Sequence, residues 1–248
     1  MEGYRLFLIT HIGAGSVALA MFWIAALARK GSSFHRRVGQ GFFGAMFAVL
    51  ASGVPLTLGM IERGRPASAM FLAFLLLLTG SGCWNAWCAV RRRRDRLAYF
   101  GGLFWMLAAI NAVAGIGIVV LGIRLASPLF QIFGGVGVFV LVDSILRWRK
   151  SAQDPMWWLR EHYGAMIGNG VATHIAFFSI GLRNAFPGID PALVQHFAWF
   201  GPLAVAFVAA FWLGRRYGRR PGARAAIPQA SGRFAGRTAA QLVEPGLE

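Results

Sequence analysis

The sequence predicts an all-α membrane protein, with seven transmembrane helices in one bundle. Three observations carry that expectation. The 248 residues are 57% hydrophobic and only 14% charged, with a mean hydropathy of +0.57, whereas a soluble domain carries about 25% charged residues. Apolar runs of about twenty residues recur along the chain, the length a helix needs to cross the hydrocarbon of a bilayer. The basic residues fall in short clusters between those runs. A net charge of +16 could point to nucleic acid, but clusters placed this way point to membrane topology and exclude a nucleic-acid partner.

The spans are expected at 5–28, 38–61, 67–90, 97–123, 128–146, 162–182 and 192–213. The first has no small-residue cleavage site and is too long for a signal-peptide core, so it is expected to be retained. Neither end carries a lipidation or GPI signature. The turns 29–37, 91–96 and 147–161 hold four, five and four Lys/Arg, and the tail after 213 holds seven. The remaining five, Arg5, Arg63, Arg65, Arg124 and Arg183, fall in the alternate segments. The positive-inside rule then puts the N-terminus outside and the C-terminus in the cytoplasm. Only an odd number of spans segregates the charge this way.

Two units follow, a transmembrane domain over 1–214 and a basic tail over 215–248 expected to be disordered. The setting is the cytoplasmic (inner) membrane of a bacterium. The partners are the bilayer itself and anionic lipid headgroups at the basic cytoplasmic turns.

Local chemistry refines the elements. Ser127-Pro128, Asp154-Pro155 and Asp190-Pro191 each place a capping side chain before a proline suited to a first helical turn. Pro55 and Pro202 fall inside spans and predict kinks near residues 51 and 198. Trp148, Trp157, Trp158, Trp212 and Tyr217 fit an aromatic belt at the cytoplasmic interface. Gly164xxxGly168, Gly41xxxAla45 and Ala14xxxAla18 read as close helix contacts, and Gly115, Gly117 and Gly122 read as packing glycines. Cys83 and Cys88 fit neither a disulfide framework nor a zinc motif, and read as small buried hydrophobes.

Five histidines are the candidate site residues. His11, His174 and His196 fall in the outer half of the first, sixth and seventh spans, and His35 and His162 at the cytoplasmic edge. Imidazoles inside a membrane are costly and usually face a partner, a cavity or a cofactor. Pairs near opposite leaflets suit axial ligation of haem iron, with His35 and His162 as the inner pair and His11 with His174 or His196 as the outer. The outer three could instead hold a transition metal such as zinc or copper. The alternative is that the imidazoles serve as interhelical hydrogen bonds or touch headgroups, with no cofactor at all. On the sixth span His162, Met166, Asn169 and Thr173 form one stripe, with His174 about 120° round from His162. Ser81, Asn85, Asn111 and Gln131 are further polar candidates within spans.

Catalytic signatures are absent from the sequence. Asp143 is the only carboxylate within an expected span, and Arg147, one turn on, is its expected partner. It lies on the side away from the outer histidines, so they have no general base. No HExxH, Walker loop, GxSxG elbow or dinucleotide fingerprint occurs. A membrane metalloenzyme is therefore the least favoured reading, and no catalytic residue is assigned.

The stretch His11–Phe47, HIGAGSVALAMFWIAALARKGSSFHRRVGQGFFGAMF, resembles the opening signature of an uncharacterised family of predicted bacterial multipass membrane proteins, a domain of unknown function. The matching positions are His11, Gly15, Ser16, Arg29, Lys30, Gly31, His35, Arg36 and Gly39. Glu161-His162 followed by Met166 is similar to that family's late histidine segment. The resemblance implies a multipass membrane protein and no particular mechanism. Two function classes remain in view. One binds haem b or a metal and acts in electron transfer or in assembling respiratory components. The other is a transporter, sensor or scaffold without catalysis.

Overall fold

The computed structural model of the chain describes residues 2–185 and 188–218, which form eight helices and no strand. They are α1 (Glu2–Leu27), α2 (Ser33–Glu62), α3 (Pro66–Arg91), α4 (Arg96–Tyr99), α5 (Gly102–Arg124), α6 (Pro128–Ser151), α7 (Trp157–Ala185) and α8 (Pro191–Gly218). Six stretches are long and apolar enough to cross a membrane, namely α1, α2, α3, α4 with α5, α6 and α8. The chain is thus an α-helical, multipass membrane protein. Helix α7 is long enough at 29 residues, but His162, Asn169, Thr173 and His174 dilute its apolar character. The tail expected to be disordered lies outside the described residues from 219 onward.

Turn chemistry sets the boundaries. Pro128 and Pro191 open α6 and α8, as the Ser-Pro and Asp-Pro pairs predict. Asp190 accepts from the Ala192 amide at 2.9 Å, and Asp154 from that of Met156 at 2.9 Å. Ser127 stands at the N-cap of α6 without a side-chain bond. The fourth expected span is divided. Asp95 caps the single turn of α4 through the Ala98 amide at 2.8 Å, and α5 restarts after Gly101. Pro55 and Pro202 sit inside helices that continue through them.

Helices α1 with α2, and α5 with α6, form antiparallel hairpins, while α3 packs on α2, α5 and α7, and α7 also touches α1 and α8. The tightest seam is between α5 and α6. A Cβ at Gly115 would lie 2.5 Å from the Gly134 carbonyl oxygen, and one at Gly137 would lie 2.4 Å from that of Asn111. Gly122 is equally confined, 2.8 Å from the Gln131 nitrogen. The other expected contacts divide. Gly41 carries the Met21 sulfur and Ala18 is fully buried, but Gly117, Gly164 and Gly168 have nothing within 4 Å of an added Cβ.

Helix α3 runs through three buried clusters. Phe71 and Phe74 join Phe133, Ile175 and Trp199. Cys83 joins Ala18, Phe42 and Met46. Cys88 and Ala89 join Tyr99, Phe100, Phe104 and Trp157. Trp157 is therefore a core residue, packed against Tyr99 of α4. Both cysteines are free and buried. Large side chains such as Phe47, Val113 and Phe207 point outward, the arrangement of a bundle solvated by lipid.

Candidate functional site

All five imidazoles are held the same way, with Nδ1 donating to a backbone carbonyl. His11 bonds Val49 O on α2 at 3.0 Å, with Ser52 Oγ 3.1 Å from the same nitrogen. This contact lies on the turn before Pro55, whose missing N–H leaves the Ala51 carbonyl without its helical donor. His35, near the start of α2, reaches back to Ala25 O on α1 at 3.0 Å, while its own amide donates to the capping Ser32 Oγ at 3.1 Å. His162 on α7 bonds Ala86 O on α3 at 3.0 Å. His174 and His196 bond within their own helices, to Gly170 O at 2.7 Å and Ala192 O at 2.5 Å.

Fixing the proton on Nδ1 leaves Nε2 as the lone-pair nitrogen, which decides what each ring can do. For His174 that lone pair is already engaged, because Trp23 Nε1 on α1 donates to it at 2.9 Å. Phe22, Trp23 and Phe178 surround the ring edge-on with centroids 5.6 to 5.7 Å away. His196 is exposed on α8 and stacks on Phe200 at 6.2 Å.

The expected outer site is not assembled. Phe22 and Trp23, the α1 neighbours of His174, lie eleven and twelve residues beyond His11, roughly 17 Å along that helix. Among the described residues, no three His, Cys, Asp or Glu side chains converge on a point that could hold a metal ion. The outer trio fails because α7 turns His174 toward α1 at Trp23 and α8 turns His196 outward. The inner pair is different. His35 and Lys30 lie within electrostatic reach of His162, and Nε2 of both His35 and His162 has no described partner. Lys30 folds over the last carbonyls of α1, bonding Ala25 O at 3.0 Å.

Next to this pair lies a cluster that sequence reasoning missed. Glu161, placed by sequence in a basic cytoplasmic turn, is 3% exposed on α7. It accepts from Tyr99 Oη at 2.9 Å and from the Arg147 guanidinium. Arg147 also pairs with Asp143 at 2.7 Å, as the i,i+4 spacing predicts, and bonds Ser144 Oγ at 3.2 Å. The cluster ties α4, α6 and α7 together beside His162. The available signal was an acid at the mouth of a polar helix, preceded by a turn with surplus positive charge.

Deeper in the bundle, Asn111 is fully buried and donates to Ser81 Oγ at 2.8 Å across α5 and α3. Gln131 bonds Gly122 O at 3.2 Å. The α7 stripe lies against α3 and α2, with Asn169 over Gly82 and Thr173 at the Met46 sulfur. Comparison with family models, with curated proteins and with solved structures finds no match.

Proposed function

We propose that this membrane protein binds haem b or a transition-metal ion through His35 and His162 at its cytoplasmic edge, acting in electron transfer or in assembling respiratory components of a bacterial inner membrane. The observation that carries the reading is the shared state of the two rings. Each is fixed through Nδ1 to a carbonyl of a neighbouring helix, and each keeps an unengaged Nε2 in the same region. Ligating histidines are oriented in this way. Iron or another metal would supply the redox or Lewis-acid chemistry, while the chain's own part is to hold two imidazoles on α2 and α7. The seven-span topology, the cytoplasmic C-terminus and contact of the basic turns with anionic headgroups belong to the same reading.

A reduced-minus-oxidised spectrum and metal analysis of detergent-solubilised protein test it. The expected result is a haem Soret band or stoichiometric metal, lost in His35→Ala and His162→Ala. Neither pigment nor metal in the wild type ends the proposal.

The second reading is a scaffold, sensor or transporter in which imidazoles fasten helices. It is favoured by His11 on Val49 O and by Trp23 on His174, each a bond between two helices. Under it His11→Ala and His174→Ala lower stability, by about 1 kcal/mol each for a lost hydrogen bond. Pigment and metal content stay unchanged.

A further inference from the structure

Between α3 and α4 the chain carries five arginines and one acid in the six residues from Arg91 to Arg96. Arg91, Arg92, Arg93 and Arg94 line a single open cleft of about 410 Å³ together with Asp95 and Ala98. Both walls are held. On the α3 side the Arg91 guanidinium lies over the Trp87 ring, 5.1 Å from its centre. On the α4 side the Arg92 guanidinium donates to Ala98 O, and Asp95 accepts from the Ala98 amide at 2.8 Å. That wall is anchored to the bundle, because Tyr99 is buried and bonded to Glu161 of α7, and Arg96 reaches Ser151 Oγ of α6 at 3.3 Å. Arg93 and Arg94 are exposed and have no described partner. Two apolar side chains flank the arginines along the chain, Val90 at 39% exposure and Leu97 at 70%.

We infer that this cleft binds the headgroup of an anionic phospholipid carrying two phosphodiesters. Guanidinium forks match phosphate oxygens and form paired N–H···O bonds with them. The four guanidiniums face one carboxylate, Asp95, which already accepts from the Ala98 amide. The surplus of three positive charges is more than a single phosphodiester neutralises, so a headgroup with two is the better match. Basic pockets beside membrane helices take such headgroups. Val90 and Leu97 offer apolar surface next to the charge, which acyl chains would cover and a free phosphate would leave bare. The inference rests on the contact of the basic turns with anionic headgroups proposed above, and it is independent of the imidazole pair.

The test is native mass spectrometry of the full-length, detergent-solubilised protein titrated with diphosphatidylglycerol, phosphatidylglycerol, phosphatidylcholine or inorganic pyrophosphate. The expected result is one tightly held diphosphatidylglycerol per chain, weaker phosphatidylglycerol, and no competition from pyrophosphate. The double variant Arg93→Gln with Arg94→Gln should weaken the diphosphatidylglycerol affinity about tenfold or more. Arg93→Lys with Arg94→Lys, which keeps the charge and loses the forks, should also weaken it. Arg36→Gln with Arg37→Gln, in another basic turn, should leave it unchanged. An affinity lost with the Arg36 and Arg37 pair and kept without Arg93 and Arg94 overturns this site while headgroup contact elsewhere stands. Pyrophosphate that displaces the lipid overturns the lipid assignment in favour of a soluble phosphate. Equal binding of phosphatidylcholine overturns both the site and the headgroup reading. The comparison of ligands on the wild type decides the matter even if a variant fails to fold.

Discussion

Glu161 is the residue whose environment departs most from its sequence neighbourhood. Four basic residues lie between 147 and 160, yet Glu161 turns inward and accepts from both Arg147 and Tyr99. Breaking a buried ion pair by removing one partner costs about 3–5 kcal/mol. Here Arg147 keeps Asp143, which places the cost at the low end. Glu161→Ala should therefore destabilise by about 3 kcal/mol, and Glu161→Gln, which still accepts from Tyr99, by about 1–2 kcal/mol. Thermal unfolding in detergent measures both, and equal effects for the two variants would refute the assigned roles. Trp23 offers a second check. Trp23→Phe keeps the ring packing around His174 and removes only the N–H donor, so the loss should stay near 1 kcal/mol.

At the scale of elements, the α5–α6 seam makes a sharp contrast with α7. Gly137→Ala must push a methyl against the Asn111 carbonyl, where no flexible side chain can yield. Overpacking of this kind costs about 1–3 kcal/mol. Gly164→Ala meets nothing within 4 Å and gains helix propensity, so it should be neutral or stabilising by up to about 1 kcal/mol. Paired melting curves test the two, and a reversed order would show that the seam is misplaced.

The contrast also marks what was legible in the sequence. Span length and proline-opened helices depend on local chemistry, so α1, α2, α3, α6 and α8 could be read directly. Which glycine pair forms a seam depends on which face meets a neighbour, and GxxxG spacing alone is silent about that. The same limit governs the histidines. Their membership of helices followed from hydropathy, but the turning of His174 toward Trp23 is a product of tertiary packing. Asp143–Arg147 was readable because both residues share one helix. Glu161 was not, since its partners come from α4 and α6.

For the whole molecule, the decisive question is whether α7 crosses the membrane. Its composition falls short because Asn169 and Thr173 are polar, yet both are buried inside the bundle, at 2% and 9% exposure. Lipid would not meet them, so average hydropathy understates how apolar the outer face of α7 is. Its 29 residues span roughly 43 Å as a helix, more than the about 30 Å of hydrocarbon. It packs against α1, α3 and α8, all apolar enough to span. Charge gives the independent argument. With the N-terminus outside and α7 crossing, the seven basic residues after 213 join the cytoplasmic side. Without that crossing, α8 would carry them out, against the positive-inside rule. Topology reporters at residues 32, 94 and 153 should therefore read cytoplasmic, and reporters at 64, 126 and 188 external. A reporter fused after Glu248 should also read cytoplasmic. If position 188 reads cytoplasmic and the C-terminus external, α7 lies outside the membrane and the seven-span bundle is replaced by six.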